Sequence, residues 1–184
     1  VLFRSLLKDR RGNLTLTNIN GLCRIALDKL KKTYEQDIQE KNIRIVFDNL
    51  TLSLMMEVNV EQFSKVLAGI LKNSMYALLK KSETVTFSPE IFLGLKVNKD
   101  MLEITIRDNG SGIDENTKDK IFAPFFTTKT TGEAAGVGLY LCREIVQNHR
   151  GTIEVESKKG EYTQFLITIP VYQPKTITPP KEEE

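Results

Sequence analysis

The sequence has little net charge and no long apolar run. Of its 184 residues, 26 are basic and 24 are acidic, which gives a formal net charge of only +2. Nonspecific binding to nucleic acid or to anionic lipid needs a clustered basic excess. The composition therefore predicts no nucleic-acid partner and no direct contact between this chain and a membrane.

Membrane-spanning and export signals are missing as well. The longest uncharged stretch, which ends at Pro174, includes polar residues and two prolines and is far shorter than the roughly 20 apolar residues of a spanning helix. The start, Val1 to Arg4, has no apolar signal-peptide core, so we expect a cytoplasmic location. Because the chain does not begin with Met, we interpret it as a fragment of a longer parent protein. That parent could still be membrane-anchored.

Cysteine and histidine are scarce. Cys23 and Cys142 lie in helix-like surroundings without a CxxC spacing or a histidine partner, whereas metal and redox sites normally show such spacings. The two thiols are therefore predicted to be small buried side chains in a reducing compartment. The single histidine, His149, is predicted to be structural.

The length suits one globular domain with a substantial core. We predict that residues 1–18 are a linker or a remnant of upstream helices, with a short strand possible at 14–17. Residues 19–170 are predicted to form the domain. Residues 171–184 are rich in proline and end in three glutamates, so we expect a disordered tail.

Apolar periodicity predicts three long helices. The first has about 18–20 residues around Leu22 and Leu30, and the second runs from a capping box at Asn59 to about Lys81. The third spans 137–148, and Gly151 prevents it from continuing. A shorter helical segment is predicted at 115–121.

Alternating apolar residues predict strands at 43–47, 52–56, 91–97, 102–106, 153–156 and 165–169. The first two, separated by Asp48-Asn49, are expected to form a hairpin. Because strands and helices do not alternate regularly, we predict an α+β fold, a two-layer sandwich of a mixed sheet and three long helices.

Two clusters that could carry chemistry precede residue 120. Asn73 shares a helical stripe with Gly69, Tyr76 and Lys80 beside the apolar face, and its amide oxygen could bind Mg²⁺. Taken alone, this cluster fits an ordinary surface asparagine better. The segment Asp108-Asn109-Gly110-Ser111-Gly112 follows a strand and could accept a hydrogen bond from an exocyclic amine of a flat ligand, but it fits an ordinary hairpin turn equally well.

Two further clusters follow. The phenylalanine-rich stretch 121–129 is either the anchor of a mobile lid or a plain core loop. Gly136-Val137-Gly138-Leu139 opens a helix, where free N–H groups can bind phosphate. This last signal is weak by itself, because the chain has neither the Walker pattern nor the third glycine of a dinucleotide fingerprint.

In this order, the four clusters resemble the N, G1, F and G2 boxes of the GHKL ATP-binding superfamily. The chain is most similar to the catalytic ATP-binding domain of bacterial sensor histidine kinases, through the phrases IFAPFFTTK and GVGLYLCREIVQNHRGTIEVES. The resemblance covers about residues 20–170 and implies the Bergerat fold, with ATP and Mg²⁺ as ligands.

The resemblance implies a role for each matching residue. Asn73 would coordinate Mg²⁺ and would act in catalysis together with Lys129, which could approach the phosphates. Asp108 would bind the adenine amine in a pocket shaped by Gly110 and Gly112. The remaining nucleotide contacts would come from the F box and G2 box residues Phe122, Thr128, Lys129, Gly136, Val137, Gly138 and Leu139.

The chain departs from the family pattern at several positions. The ATPase branches carry a general-base glutamate four residues before the asparagine, where this chain has Gly69, which disfavours hydrolysis. Many histidine kinases have a basic or polar residue where this chain has Tyr76. They often have the phrase GTGLGL where this chain has AAGVGL at 134–139, so Ala134 and Ala135 replace the first glycine and the threonine.

The resemblance implies transfer of the ATP γ-phosphate to a histidine on helical dimerisation segments that this chain lacks. The expected partners are those helices and a downstream response regulator; the chain alone would be a monomer and its parent a homodimer. The alternative is a regulatory module that binds nucleotide without transfer. A freestanding ATPase or serine kinase is disfavoured by Gly69.

Overall fold

The computed structural model describes residues 13–49, 53–127 and 136–171. The strands in these residues are β1 (Thr15–Asn18), β2 (Arg44–Asp48), β3 (Met55–Val58), β4 (Glu90–Asn98), β5 (Met101–Asp108), β6 (Thr152–Lys158) and β7 (Tyr162–Pro170). The helices are α1 (Ile19–Thr33), α2 (Glu35–Glu40), α3 (Val60–Ser82), α4 (Glu115–Lys118) and α5 (Gly138–Asn148).

Five strands form a mixed sheet in the order β2-β4-β5-β7-β6. The β2–β4 pair is parallel and the other pairs are antiparallel. The α+β prediction is confirmed. Two helices are long, with 15 and 23 residues, and the third has 11, so the prediction of three long helices is slightly too high.

The core lies between one face of this sheet and the helices. Alternate residues of β5 and β7, such as Ile104, Ile106 and Ile167, are buried, as expected for strands with one covered face. Helix α3 buries Phe63 and Leu67 on the same core. Its start is fixed by Asn59, whose Oδ1 accepts the N–H of Gln62 at 3.0 Å, which is the predicted cap.

The predicted hairpin between residues 43–47 and 52–56 is wrong. β2 pairs with β4 in parallel, starting at Arg44 opposite Glu90. β3 pairs instead with β1, with Met55 opposite Asn18. A parallel partner needs a long crossover connection, which β3 and α3 provide here. The turn residues at 48–49 therefore direct the chain away from β2 rather than back along it.

Smaller differences concern element ends. The first helix ends at Thr33, and Tyr34 separates it from the six-residue α2, so the predicted 18–20 residues are two helices. The segment 115–121 forms only the short α4. The strand suggested at 14–17 is present as β1 and joins the fold four residues before the predicted domain start. The predicted disordered tail lies outside the described residues, apart from Val171.

Both cysteines are buried and unpaired, as predicted. Burial raises the pKa of each thiol to about 12, so neither is a reactive thiolate at neutral pH. Within the described residues, no helix has the length and apolar character of a membrane span.

The β6–β7 turn packs closely on the glycine-rich segment after β5. Gly112 has φ +64°, and a Cβ there would lie 2.2 Å from the Lys158 carbonyl oxygen. Gly160, in the turn itself, has φ +80°, but a Cβ there would have no atom within 4 Å. Both glycines use left-handed backbone, but Gly112 is also held against the opposite main chain.

These two glycines give a matched test of the contact. Gly160→Ala should lower the free energy of unfolding by about 1–2 kcal/mol, the usual cost of a left-handed non-glycine residue. Gly112→Ala should cost at least about 2 kcal/mol more, because the main chains must separate. Urea unfolding of both variants measures the difference; equal losses would mean that the Gly112 contact is not rigid.

Candidate functional site

One large cavity among the described residues brings parts of all four sequence clusters together. Its volume is about 490 Å³, within the usual range of small-molecule sites. α3 contributes Asn73, Tyr76 and Lys80 to its wall, the segment after β5 contributes Ser111 and Gly112, and the start of α5 contributes residues 136–139. Asp108 and Thr163 line it from the sheet.

Asp108 is the buried charged group of this cavity. Its side chain is only 2% exposed, and the N–H of Gly110 donates to its Oδ1 at 3.0 Å. Burial raises the pKa of Asp108 to about 6, while the Ser74 hydroxyl, the Gly110 N–H and the charges of Lys81 and Arg107 lower it. The result is a carboxylate, ionised at neutral pH, that can accept a hydrogen from a ligand.

Ser74 lies beneath this carboxylate on α3. Its Oγ is buried and makes no hydrogen bond of regular geometry, although the hydroxyl is near enough to lower the pKa of Asp108. Buried polar atoms are normally satisfied by protein or water. An unsatisfied hydroxyl beside a buried carboxylate indicates a place where a ligand or water completes the hydrogen bonding.

The predicted stripe of α3 faces the cavity. Asn73, Tyr76 and Lys80 all line it, and the Lys80 Nζ lies 5.9 Å from the centre of the Tyr76 ring. Gly69, one turn before Asn73, instead packs against α5, because a Cβ at this position would lie 3.2 Å from Cys142 Sγ. The structure thus separates the stripe into a cavity part and a packing part.

The start of α5 opens into the same cavity. The helix begins at Gly138 after Val137, and among the described residues no side chain caps this end and no acidic residue lies in its first turn. Gly136 has φ +68°, and a Cβ there would lie 2.5 Å from the Phe125 carbonyl carbon, whereas Gly138 has open space. Uncapped N–H groups and the positive end of the helix dipole favour an anion here.

The phenylalanine cluster divides between core and cavity. Phe122, a predicted nucleotide contact, does not line the cavity; its ring packs on Phe165 at 6.3 Å and lies under Arg143. Phe126 lines the cavity, and Phe125 is 69% exposed with φ +65°. Thr128, Lys129, Ala134 and Ala135 lie outside the described residues.

Gly110 supports the site rather than lining it. A Cβ on Gly110 would lie 2.7 Å from both the carbonyl carbon and the Cβ of Ala77, so glycine lets the segment lie directly on α3. Gly112, by contrast, lines the cavity. The two glycines of the predicted pocket therefore have different tasks.

The cavity-lining carboxylates within the described residues are Asp108 and Asp114. Asp114 caps α4 through the N–H of Asn116 and pairs with Lys159 at 2.9 Å. Gly69 offers no carboxylate at the position of the family's general base. Both lining carboxylates make contacts within the fold, and neither stands at the general-base position.

His149 lies at the end of α5 and holds two helices together. Its Nε2 accepts the N–H of Asn59 at 3.0 Å, and its Nδ1 lies 2.7 Å from the Ile145 carbonyl oxygen. This pattern requires the neutral tautomer that carries its proton on Nδ1. The ring also packs edge-on against Phe63. These contacts support the prediction of a structural histidine.

Two lining residues were not predicted as site residues although the sequence signalled them. Ser74 is a polar residue in the apolar stripe of α3, between Leu71 and Leu78. Thr163 is a polar residue on the buried face of β7, two residues before Phe165, and is 4% exposed. A polar side chain at a core position of a helix or strand is the signal that identifies both.

The raised pKa of Asp108 predicts a measurable effect of pH on stability. Because the pKa is higher in the folded state than the usual 3.8, Asp108 favours folding below about pH 4, and this contribution is lost as the pH rises through 6. Wild type should therefore gain about 2 kcal/mol of stability relative to Asp108→Asn between pH 7.5 and pH 4.

The control for this prediction is Asp114→Asn. Its pairing with Lys159 lowers the pKa of Asp114, so wild type should lose stability relative to this variant as the pH falls, the opposite direction. Urea titrations at several pH values measure both trends. A flat difference for Asp108→Asn would contradict a buried, high-pKa carboxyl.

Comparison with known proteins identifies the family of this chain. Residues 59–173 match the family described as histidine kinase-, DNA gyrase B- and HSP90-like ATPases. The chain is 35% identical over 149 residues to cyanobacterial phytochrome A of Nostoc, covering 79% of this chain and 18% of that protein. It is 28% identical over 166 residues to the sensor histidine kinase ZraS of Salmonella typhi, covering 90% of this chain and 33% of that protein.

Among solved structures, the catalytic domain of the histidine kinase ThkA, in a nucleotide-free form, superposes with a TM-score of 0.70 at 28% identity. The match covers 86% of this chain and 95% of that one. The chain therefore spans nearly all of a catalytic domain but at most a third of the first curated relatives. On the family match and the shared fold, this chain belongs to the GHKL family of histidine kinase-, gyrase B- and HSP90-like ATPases, as a catalytic domain of the sensor histidine kinase type.

Proposed function

We propose that this domain binds Mg²⁺-ATP and transfers the γ-phosphate to a histidine on helical segments of its parent protein. The observation that carries the proposal is that one cavity contains both a buried carboxylate, Asp108, and an uncapped helix start at Gly138. A hydrogen-bond acceptor for an exocyclic amine and an anion site within one pocket match the two chemical parts of ATP.

Each part of the nucleotide has a matching group. The Asp108 carboxylate would accept from the adenine amine, and Gly112 lets the base approach the main chain. The N–H groups at the start of α5 would bind phosphate oxygens. Asn73 lines the same cavity and is a suitable oxygen ligand for Mg²⁺, which, when bound, neutralises charge on the phosphates.

The same residues favour transfer over hydrolysis. Phosphoryl transfer needs a nucleophile in line with the γ-phosphate, and the protein contributes mainly positioning and charge neutralisation. Gly69 gives no base to activate water. His149 uses both ring nitrogens within the fold, and the 11 residues of α5 separate it from the phosphate end by about 16 Å. The acceptor must therefore come from outside the described residues.

The printed names of the relatives suggest the setting of this reaction. ZraS is a sensor histidine kinase, and kinases of this type phosphorylate a histidine before passing the phosphate on. We propose helical dimerisation segments and a response regulator as partners, a homodimeric parent and a cytoplasmic location for this domain. Lys129 stays a predicted phosphate contact, and Thr128 stays a predicted nucleotide contact.

Substitutions of Asn73 and Asp108 should weaken ATP binding in different ways if Asn73 binds the metal and Asp108 binds adenine. Asp108→Ala should weaken ATP binding about 10- to 150-fold, the worth of a charge-assisted hydrogen bond, with or without Mg²⁺. Asn73→Ala should weaken binding mainly when Mg²⁺ is present, because water replaces one of its ligands. Calorimetry in Mg²⁺ and in EDTA separates them. Equal losses for Asn73→Ala in both buffers would remove it as a metal ligand.

Transfer itself separates a kinase domain from a regulatory module that only binds nucleotide. The chain alone should neither label itself from γ-labelled ATP nor hydrolyse ATP appreciably. Restoring the upstream helices of the parent should give acid-labile label on a histidine of those helices. His149→Ala, if it folds, should leave that labelling site unchanged. Nucleotide binding without any label on the restored helices would favour the regulatory module.

A further inference from the structure

The end of α3 carries a lysine that the proposed mechanism does not use. Lys81 is partly buried, and its Nζ donates to the Asn109 carbonyl oxygen at 2.8 Å. The same ammonium group lies 4.4 Å from the centre of the Phe87 ring. Lysine side chains usually keep the charged end in water, so an ammonium group held by a carbonyl and an aromatic ring indicates a specific task.

Asn109 connects this lysine to the loop before β4. Its Oδ1 accepts the N–H of Glu90 at 2.8 Å, and its Nδ2 donates to the Ser88 carbonyl oxygen at 2.8 Å. Phe87 belongs to the same loop. Lys81, Asn109 and the loop 87–90 are therefore one junction, which fixes the main chain immediately after Asp108.

The segment 108–111 follows one face of α3 through three contacts. Ser74 lies beneath Asp108, the Ala77 carbonyl accepts the N–H of Ser111 at 3.2 Å, and Lys81 binds residue 109. Positions 74, 77 and 81 are spaced by three and four residues, so they share a helix face. Lys81 is the last of these contacts and has the only charged side chain of the three.

We infer that Lys81 is a positioning residue of the nucleotide site, which holds the main chain of Asn109 so that Asp108 faces the adenine amine as an ionised acceptor. This inference rests on the proposed function, because it assigns Lys81 to the adenine end of the same cavity. Lys81 does not line the cavity, so it acts through Asn109 and Asp108.

The charge of Lys81 supports this role. Burial raises the pKa of Asp108, and two cationic groups oppose the effect, Lys81 from α3 and Arg107 from β5. Arg107 is exposed and lies over the Tyr162 ring at 4.2 Å, so solvent screens it more than it screens Lys81. Removing the charge at residue 81 should shift Asp108 toward the neutral form, which is the poorer acceptor for an amine.

The test compares Lys81→Met with Lys81→Arg, which keeps a charged donor, and with Lys72→Met, which removes a charge from the exposed face of α3. Calorimetry with ADP in EDTA reports the adenine end without the metal. We expect Lys81→Met to bind ADP about three- to tenfold more weakly at pH 7.5, a partial loss of the Asp108 hydrogen bond. Lys81→Arg should restore much of the affinity, and Lys72→Met should match wild type.

Inosine diphosphate, which has an oxygen in place of the adenine amine, makes the test specific. Lys81→Met should reduce the preference for ADP over inosine diphosphate, whereas general loosening of the cavity would weaken both ligands alike. Lys81→Gln, which keeps a donor without the charge, replaces Lys81→Met if the latter does not fold. Unchanged ADP affinity, or an equal loss in Lys72→Met, would overturn the inference.

A second measurement does not depend on nucleotide. The ¹³C shift of the Asp108 carboxyl, followed by NMR against pH, should have its midpoint at higher pH in Lys81→Met than in wild type, with Lys81→Arg returning it toward the wild-type value. An unmoved midpoint would overturn the electrostatic part of the inference. If wild type binds no adenine nucleotide, the proposed function fails, and this titration still decides whether Lys81 acts on Asp108.

Discussion

The cavity exists because the chain after β5 lies directly on α3. Gly110 makes this possible, since any Cβ there would meet the main chain of Ala77 at 2.7 Å. The close contact carries Asp108 into the interior and turns Ser111 and Gly112 toward the cavity. On the opposite side, the Lys158 carbonyl leaves no room for a side chain at Gly112. The adenine end of the site is therefore built mainly from main chain that two neighbouring elements hold in place.

The phosphate end depends on a second close approach, between α3 and α5. Gly69 faces Cys142 across this contact, and the Cys142 thiol lies 3.9 Å from the Val66 carbonyl oxygen. His149 joins the far end of α5 to the start of α3. Because α5 packs on α3 at Cys142, one turn after its start, and again at His149, the position of α5 relative to the Asn73 helix is set by these two contacts. The absence of a glutamate at position 69 thus has a packing consequence as well as a chemical one.

Much of this arrangement could be predicted from sequence, because periodicity reports burial. The stripe of α3, the strands β4 and β5 and the buried cysteines follow from local pattern alone, and the order of the four clusters led to the family. Pairing over long distances could not be predicted. Residues 43–47 and 52–56 have strand patterns, but nothing near Asp48 specifies that β2 pairs in parallel with β4.

Side-chain roles were less predictable than element types. A motif places Phe122 and Phe126 close together in sequence, and only packing decides that Phe122 joins the core with Phe165 while Phe126 reaches the cavity. Similarly, Lys81 reads as one of several lysines at the end of a charged helix. Its contact with Asn109 depends on where β5 ends relative to α3, which no local spacing reveals.

The electrostatics of Asp108 explain why such neighbours matter. The buried Asp108 carboxyl has a pKa of about 6. At pH 7 its ionised form is therefore favoured over the neutral form by only about 1.4 kcal/mol. A change of that size in the surroundings is enough to populate the neutral form. The proposed adenine acceptor therefore stays ionised because several groups each lower its pKa a little: the Gly110 N–H, the Ser74 hydroxyl and the nearby cationic charges. Because each contribution is weak, the affinity for adenine should respond to substitutions of residues that do not contact adenine.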